Sequence, residues 1–111
     1  MNAKCEAIEF VPPWVAVGQY ADNLTRELQR EVTDRHILWR RTVRPLAQRS
    51  DCDDVLFEVE GPVMIYAVVH LTWAGEPGND PLCPGTVVFG SFDEWVREGM
   101  MRDHHDFMEG E

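Results

Sequence analysis

The sequence predicts a single α+β domain in which an N-terminal and a C-terminal helix pack against an antiparallel sheet of three to four strands. Apolar residues recur at helical spacing near both ends of the chain, and the segments between them are rich in β-branched and aromatic residues separated by turn sequences. Helices that flank a run of strands are typical of an α+β layer architecture. The 111 residues suit one domain, with residues 1–12 and 108–111 as disordered ends.

The first helix is predicted from six apolar residues that share one helical face. They are Trp14, Val17, Ala21, Leu24, Leu28 and Val32. Pro12-Pro13 can open this helix, but Gly18 costs about 1 kcal/mol in a helix interior, so the regular part is predicted to begin near Gln19. Glu27 and Glu31 lie on the predicted polar face as like charges, which nearby arginines offset.

The middle of the chain predicts the sheet. Residues 36–44 have an extended pattern, and Pro45 restricts them to an edge strand or a strand end. Residues 55–60 alternate as in a strand, and residues 63–73 are dense in β-branched and aromatic residues. Gly61-Pro62 connects the two segments, which predicts a hairpin whose second strand is central. Thr86–Phe89 is the last predicted strand.

The C-terminal helix is predicted to begin with a capping box at residues 91–94. In this motif the Ser91 hydroxyl and the Glu94 carboxylate each accept a backbone N–H. Gly99 is expected to weaken the middle of the helix. The predicted buried stripe consists of Phe92, Trp95, Val96, Met100 and Phe107.

Composition and targeting signals limit the classes of protein. A hydrophobic content of 44% supports a folded core despite the net charge of -10. The longest mostly apolar run is about half the length of a bilayer-spanning helix, and the N-terminus lacks a signal-peptide pattern, so we predict a cytoplasmic protein with no membrane partner. Cys5, Cys52 and Cys83 match neither a disulfide scaffold nor CxxC metal spacing and are expected to be free thiols.

Basic and acidic residues separate along the chain. Residues 26–49 contain seven arginines and three acids, whereas residues 50–111 contain fourteen acids and two arginines. We favour neutralisation of these opposite charges by ion pairs within the fold over a molecule with one basic and one acidic face. The overall acidity argues against nucleic-acid binding. An acidic surface suits a basic protein partner. Its predicted binding residues are Asp51, Asp53, Asp54, Glu58 and Glu60.

Three polar residues are further candidates for a site, namely His70, Asp103 and His104. His70 interrupts an apolar strand and is predicted to bond a carboxylate, for which the C-terminal helix is one source. Residues 103–106 read Asp-His-His-Asp, but adjacent side chains on a helix point about 100° apart, so a metal would need a distant ligand such as His70. An ordinary solvated helix end is favoured, and no metal or cofactor is predicted.

Other candidate chemistries have simpler structural explanations. Cys52 lies among aspartates, which oppose formation of a thiolate. Arg40, Arg41 and Arg44 have the geometry to hold a phosphate or a carboxylate, but salt bridges with a nearby acidic helix are favoured. The chain contains no phosphate-binding glycine loop and no nucleophile elbow, so an enzyme is the less favoured class.

Four short segments resemble a pattern in a family of small bacterial proteins without an established activity. They read DDVLF (53–57), VHLTW (69–73), SFDEW (91–95) and DH (103–104). This resemblance spans residues 20–106, implies a compact bacterial domain and transfers no site. In size, acidity and α+β content, the chain also resembles the immunity proteins that neutralise bacterial toxins.

The leading functional hypothesis is therefore a noncatalytic protein-binding module, immunity-like in its specific form, that meets a basic partner through an acidic surface. One alternative is a small metal-dependent or hydrolytic enzyme built around His70 and His104. A second alternative is a homo-oligomeric structural subunit, such as a homodimer, that uses exposed tryptophan and methionine side chains.

Overall fold

A computed structural model describes residues 10–80 and 82–109 of the chain. Its five strands form one antiparallel sheet in the order β1-β2-β3-β4-β5. The α+β class with an antiparallel sheet is confirmed, but the sheet has five strands rather than three to four. The elements before the last helix are β1 (Trp14–Ala16), α1 (Ala21–Glu31), β2 (Val43–Arg49), β3 (Asp54–Val59), β4 (Ile65–His70) and β5 (Thr86–Phe89).

The additional strand β1 replaces the predicted start of the first helix. Trp14–Ala16 pair with residues 47–49 of β2, and α1 begins only at Ala21. Trp14 is buried and packs edge-on against Trp95, with 5.2 Å between the ring centroids. Burial against a distant aromatic ring, rather than the helical period, therefore places Trp14 in the core.

Residues 34–40 form turns, so the predicted extended segment is wrong over its first half. His36 is buried and its Nδ1 accepts the Leu38 N–H at 3.0 Å. This bond makes Nε2 the donor to the Pro84 carbonyl, at 2.9 Å. Both ring nitrogens thereby hold the turn in place, and β2 starts only at Val43.

Among the described strands, β3 alone pairs with β2 at Pro45, because β1 is three residues long and pairs with residues 47–49. The pairing of β2 with β3 is irregular between Pro45 and Ala47. The strand β2 lies between β1 and β3 and includes Pro45, so it is neither the edge strand nor the strand end that Pro45 predicted. A residue without a backbone N–H is tolerated here because, in the described part of the chain, one side of the strand is unpaired at this position.

The C-terminal helix runs through three successive segments. They are α2 (Phe92–Trp95), a π-helical turn (Val96–Met100) and α3 (Met101–Glu109). The predicted cap is confirmed, because Ser91 Oγ accepts the Glu94 N–H at 3.0 Å. The Glu94 carboxylate accepts the N–H of Gly90, at 2.8 Å, rather than that of Ser91.

The two helical regions cover opposite faces of the sheet. In β3, Val55, Phe57 and Val59 belong to the core beneath α1, whereas Leu56 belongs to the core beneath the C-terminal helix. This alternation follows from the two-residue period of a strand. The second core also contains Trp14, Ala47, Trp95 and Met100.

The ends of the described chain contact this second core or extend the last helix. Phe10 packs edge-on against Trp95, and Met108 and Glu109 belong to α3. Of the segments predicted as disordered, residues 1–9 and 110–111 lie outside the described residues, as does Cys5. None of the helices within the described ranges is long and apolar enough to cross a lipid bilayer.

Strand β5 forms one edge of the sheet. The His70 N–H donates to the Gly85 carbonyl at 2.9 Å. Because antiparallel pairs alternate, the backbone N–H and C=O groups of Thr86 and Val88 point away from β4. The side chains of Val87 and Val88 are also exposed.

Candidate functional site

Arg49, the last residue of β2, is the centre of a cluster of carboxylates. Its guanidinium donates to both oxygens of Asp51 at 2.8 Å and lies 4.0 Å from Asp54 and 3.6 Å from Asp103. Asp103 also accepts the indole N–H of Trp14 at 2.9 Å. The bond from Arg49 lowers the pKa of Asp51. This cluster ties the turn after β2 to the C-terminal helix.

The predicted acidic surface is largely paired within the fold. Besides Asp51 and Asp54, Glu58 accepts from Arg44 at 2.9 Å and 3.1 Å. Among the described residues, the carboxylates of Asp53 and Glu60 are exposed and form no ion pair. Internal neutralisation therefore holds for three of the five predicted residues and leaves two facing solvent.

The arginines near the start of β2 have different partners. Arg44 forms an ion pair with Glu58, which lies on the strand β3 rather than on the acidic helix that the sequence favoured. Arg41 instead donates to the backbone carbonyl of Glu60 at 3.0 Å, and Arg40 lies over the Trp39 ring at 5.6 Å.

His70 has the carboxylate partner that the sequence predicted. Its Nδ1 lies 2.7 Å from Asp54 Oδ1. Asp54 is directly opposite on β3, because the register pairs these two residues. The partner therefore comes from the neighbouring strand rather than from the C-terminal helix, and the His70 side chain stays largely exposed.

Cys52 joins this pair, although no sequence pattern indicated that it would. One ligand atom from each of Cys52, Asp54 and His70 lies within 4.8 Å of the other two. Partial burial of the sulfur, together with nearby carboxylates, raises the pKa of the Cys52 thiol. A raised pKa disfavours Cys52 as a free nucleophile, in agreement with the sequence analysis.

The side chains of residues 103–106 do not converge. Asp103 is bound to Trp14 and Arg49, whereas His104 Nδ1 donates to the Pro12 carbonyl at 2.5 Å. His105 lies 3.2 Å from Glu109. Only Asp103 is linked to the His70 region, through Arg49, so His70 and His104 share no contact in the described part of the chain.

Glu27 and Glu31 form a buried pair that the sequence analysis placed on a polar face. Each is only 2% exposed. Glu31 accepts the N–H groups of Thr72, at 2.9 Å, and Trp73, at 2.7 Å, and Glu27 accepts that of Gly75 at 2.9 Å. The two glutamates therefore hold the loop that follows β4.

The two carboxylates have opposite pKa shifts. Burial raises the pKa of Glu31, while the bond with Glu31 lowers the pKa of Glu27. The spacing of Leu24, Glu27, Leu28 and Glu31 is that of one buried helical stripe, which was the signal available in the sequence.

The loop held by the two glutamates presents an aromatic side chain. Trp73 has a φ of 60°, which is uncommon for a bulky residue, and Gly75 has a φ of 77°. Trp73 is 48% exposed and lines an open cleft of about 320 Å³. The other residues of this cleft are Tyr20, Asn23, Leu24, Arg26, Arg30 and Gln48.

Comparison with known proteins adds no functional assignment, because no family model, curated protein or solved structure matches this chain. Two groups of side chains remain as candidates. One is the cleft beside Trp73, and the other is the group of Cys52, Asp54 and His70.

Proposed function

We propose that this protein is a noncatalytic binding module that holds a protein partner in the cleft beside Trp73. The observation that supports this function is the composition of the cleft wall, where Trp73 and Tyr20 lie beside Arg26 and Arg30. Tryptophan, tyrosine and arginine are enriched among the residues that contribute most to the free energy of protein association.

The backbone around Trp73 supports a role beyond linking two strands. A bulky residue at positive φ costs on the order of 1–3 kcal/mol. Burial of two carboxylates is also unfavourable unless they are hydrogen-bonded, and here their partners are N–H groups of this same loop. The fold thus maintains an unfavourable conformation whose result is an indole ring at the surface.

The open shape of the cleft favours a protein segment over a small molecule. Small-molecule pockets cover roughly 70–90% of their ligand. Here Tyr20 is 56% exposed and Trp73 is 48% exposed, so the walls cannot enclose a compact ligand. A protein segment can bind with only one of its faces covered by the cleft, so an open cleft suits it better than a small molecule.

The two arginines define the chemistry of the partner. Among the described residues Arg26 has no carboxylate partner, and Arg30 has only Glu27, at 3.6 Å. A segment with an aspartate or glutamate beside an apolar side chain would pair with a guanidinium and pack against the rings. We therefore propose a carboxylate-bearing segment of the partner as the occupant.

A second candidate surface is the acidic one that the sequence predicted, which would meet a basic partner in the manner of an immunity protein. It is favoured by the exposed, unpaired carboxylates of Asp53 and Glu60 and by the net charge of -10. Charges of this kind mainly raise the association rate. This surface and the cleft use different residues, so substitutions distinguish them.

The test is a quantitative pull-down from a cytoplasmic lysate, since the cytoplasm is the predicted compartment. The cleft variant combines Tyr20→Ala with Arg26→Ala. Its control combines Ile37→Ala with Arg35→Ala, because Ile37 and Tyr20 are 55% and 56% exposed and Arg35 lies outside the cleft. We expect one stoichiometric partner that the wild type and the control retain and the cleft variant loses.

Two other results would change the conclusion. If only the double variant Asp53→Asn and Glu60→Gln lost the partner, the binding site would be the acidic surface rather than the cleft. Equal capture by all variants, or no stoichiometric partner at low salt, would contradict the binding-module proposal. Circular dichroism of each variant verifies that the fold is retained.

A further inference from the structure

We propose that Cys52, Asp54 and His70 form a binding site for one zinc ion. This inference is independent of the proposed cleft, because none of the three residues lines it. The supporting observation is that a sulfur, a carboxylate oxygen and an imidazole nitrogen lie within 4.8 Å of one another.

The fold positions these ligands through backbone geometry. Cys52 lies in the turn before β3, Asp54 is the first residue of β3 and His70 is the last residue of β4. Asp54 and His70 are paired directly across the two strands. Two ligands are therefore held together by sheet hydrogen bonds, and the third comes from the adjoining turn.

The separations require only a small rearrangement. Zinc bonds of about 2.0–2.3 Å place neighbouring tetrahedral ligands roughly 3.3–3.7 Å apart. The exposed side chains of Cys52 and His70 can rotate to reach this geometry. Binding would replace the hydrogen bond between His70 Nδ1 and Asp54 by two bonds to the metal. The Nδ1 proton of the neutral imidazole would move to Nε2 by exchange with solvent, and the Cys52 proton would leave to solvent.

The donor set selects among metals. Thiolate and imidazole together favour zinc and similar transition metals, whereas calcium and magnesium prefer oxygen ligands. Three protein ligands leave a fourth position for water.

A surrounding group supports the orientation of Asp54. Arg49 lies 4.0 Å from Asp54 Oδ2, while Asp54 Oδ1 faces His70. Outer partners of this kind hold metal-binding carboxylates in place. Asp51 and Asp103 also surround Arg49, so the region holds more carboxylates than cations and a divalent cation would offset the excess.

The test is calorimetric titration of untagged, chelator-treated protein with Zn²⁺, in a Cys5→Ser background that removes a thiol outside the described residues. We expect one ion per chain. Cys52→Ser and His70→Ala should each lower the Zn²⁺ affinity by more than the roughly 10- to 100-fold typical of losing an outer-shell partner.

Matched controls are Cys83→Ser and His105→Ala, which change the same residue types away from the proposed site. Both should bind Zn²⁺ as the parent protein does. Substituting Co²⁺ for Zn²⁺ should give a thiolate-to-metal absorption band that Cys52→Ser abolishes. The proposal would be overturned if the protein showed no saturable Zn²⁺ binding or if the cobalt spectrum lacked that band. It would also be overturned if the Cys52 and His70 variants bound Zn²⁺ as tightly as the parent protein.

Discussion

Gly99 shows how one contact at the residue scale can override intrinsic helix propensity. A glycine inside a helix is less favourable than alanine by about 1 kcal/mol, which is why the sequence predicted a weak point here. In the structure, a Cβ on Gly99 would lie 2.7 Å from Trp95 Cδ1 and 2.9 Å from Trp95 Nε1. The missing side chain therefore makes room for a fully buried indole.

Gly99→Ala is expected to destabilise the protein by up to about 2 kcal/mol, because overpacking against Trp95 costs about 1–3 kcal/mol and the gain in helix propensity returns only about 1 kcal/mol. Urea unfolding followed by tryptophan fluorescence measures the change. Gly18→Ala is the control, because a Cβ on Gly18 would have no atom within 4 Å and the φ of this residue is not positive. Equal or higher stability of Gly99→Ala would contradict the packing argument.

Glu31 is a second residue whose place in the structure departs from its intrinsic preference, because an ionisable side chain is buried there. Its raised pKa means that the folded state binds the proton more tightly than the unfolded chain does. The resulting stabilisation is fully present below the ordinary value of 4.5 and is lost as the pH rises through the raised pKa. Glu27 behaves in the opposite way, because a lowered pKa makes its contribution fall on acidification.

Glu31→Gln should weaken the loss of stability that accompanies a rise in pH above the ordinary value of 4.5, because the amide has no proton to lose while its oxygen still accepts from the loop. Urea unfolding of both proteins at increasing pH gives the comparison. Glu60→Gln, at an exposed site, should follow the wild type. A Glu31→Gln curve parallel to the wild type would exclude Glu31 as the titrating group.

At the scale of elements, local signals predicted some segments and distant partners determined the others. The cap at Ser91 and the strand Thr86–Phe89 depend on neighbouring residues, and both are found in the structure. Strand β1 exists because residues 47–49 pair with it, and the turn around His36 depends on Pro84. Neither partner is apparent from the local sequence.

The same distinction applies to the candidate sites. The need of His70 for a carboxylate was predictable from its place in an apolar strand, but the choice of Asp54 depends on the register of β3 with β4. Cys52 comes close to His70 only because that register places Asp54, two residues after Cys52, opposite His70. Trp73 was expected to continue a strand, and its turn conformation depends on carboxylates from α1.

Ser91→Ala should cost about 1 kcal/mol, because the Glu94 N–H loses its side-chain acceptor. Thermal or urea unfolding measures the change. Ser50→Ala is the matched control, since Ser50 is exposed and its bond to the Pro13 carbonyl comes from the backbone N–H, which alanine keeps. A change at Ser91 no larger than that at Ser50 would show that the cap does not limit stability.

At the scale of the whole molecule, a single cation joins the sheet to the C-terminal helix. Arg49 contacts Asp51 in the turn, Asp54 in β3 and Asp103 in α3. An arginine from the basic half of the sequence therefore links three segments of the acidic half through their aspartates. Without Arg49, three carboxylates would remain close together without their shared cation.

Arg49→Ala should lower the free energy of unfolding by about 1.5–3 kcal/mol, the range for hydrogen bonds to charged groups. Added salt should reduce this deficit, because it screens repulsion among the remaining carboxylates. The control Arg44→Ala breaks one exposed pair and should cost less than about 1 kcal/mol. Equal losses from the two variants, measured by urea unfolding at low and high salt, would contradict a central role for Arg49.

The edge of β5 has a consequence for the behaviour of the protein at high concentration. Thr86–Phe89 contains no charged side chain that would deter another strand from pairing there. Mutual repulsion between molecules of net charge -10 must therefore provide colloidal protection at neutral pH. That protection disappears as the pH approaches the isoelectric point near 4.7, and we expect molecules to associate there through the backbone of this short strand.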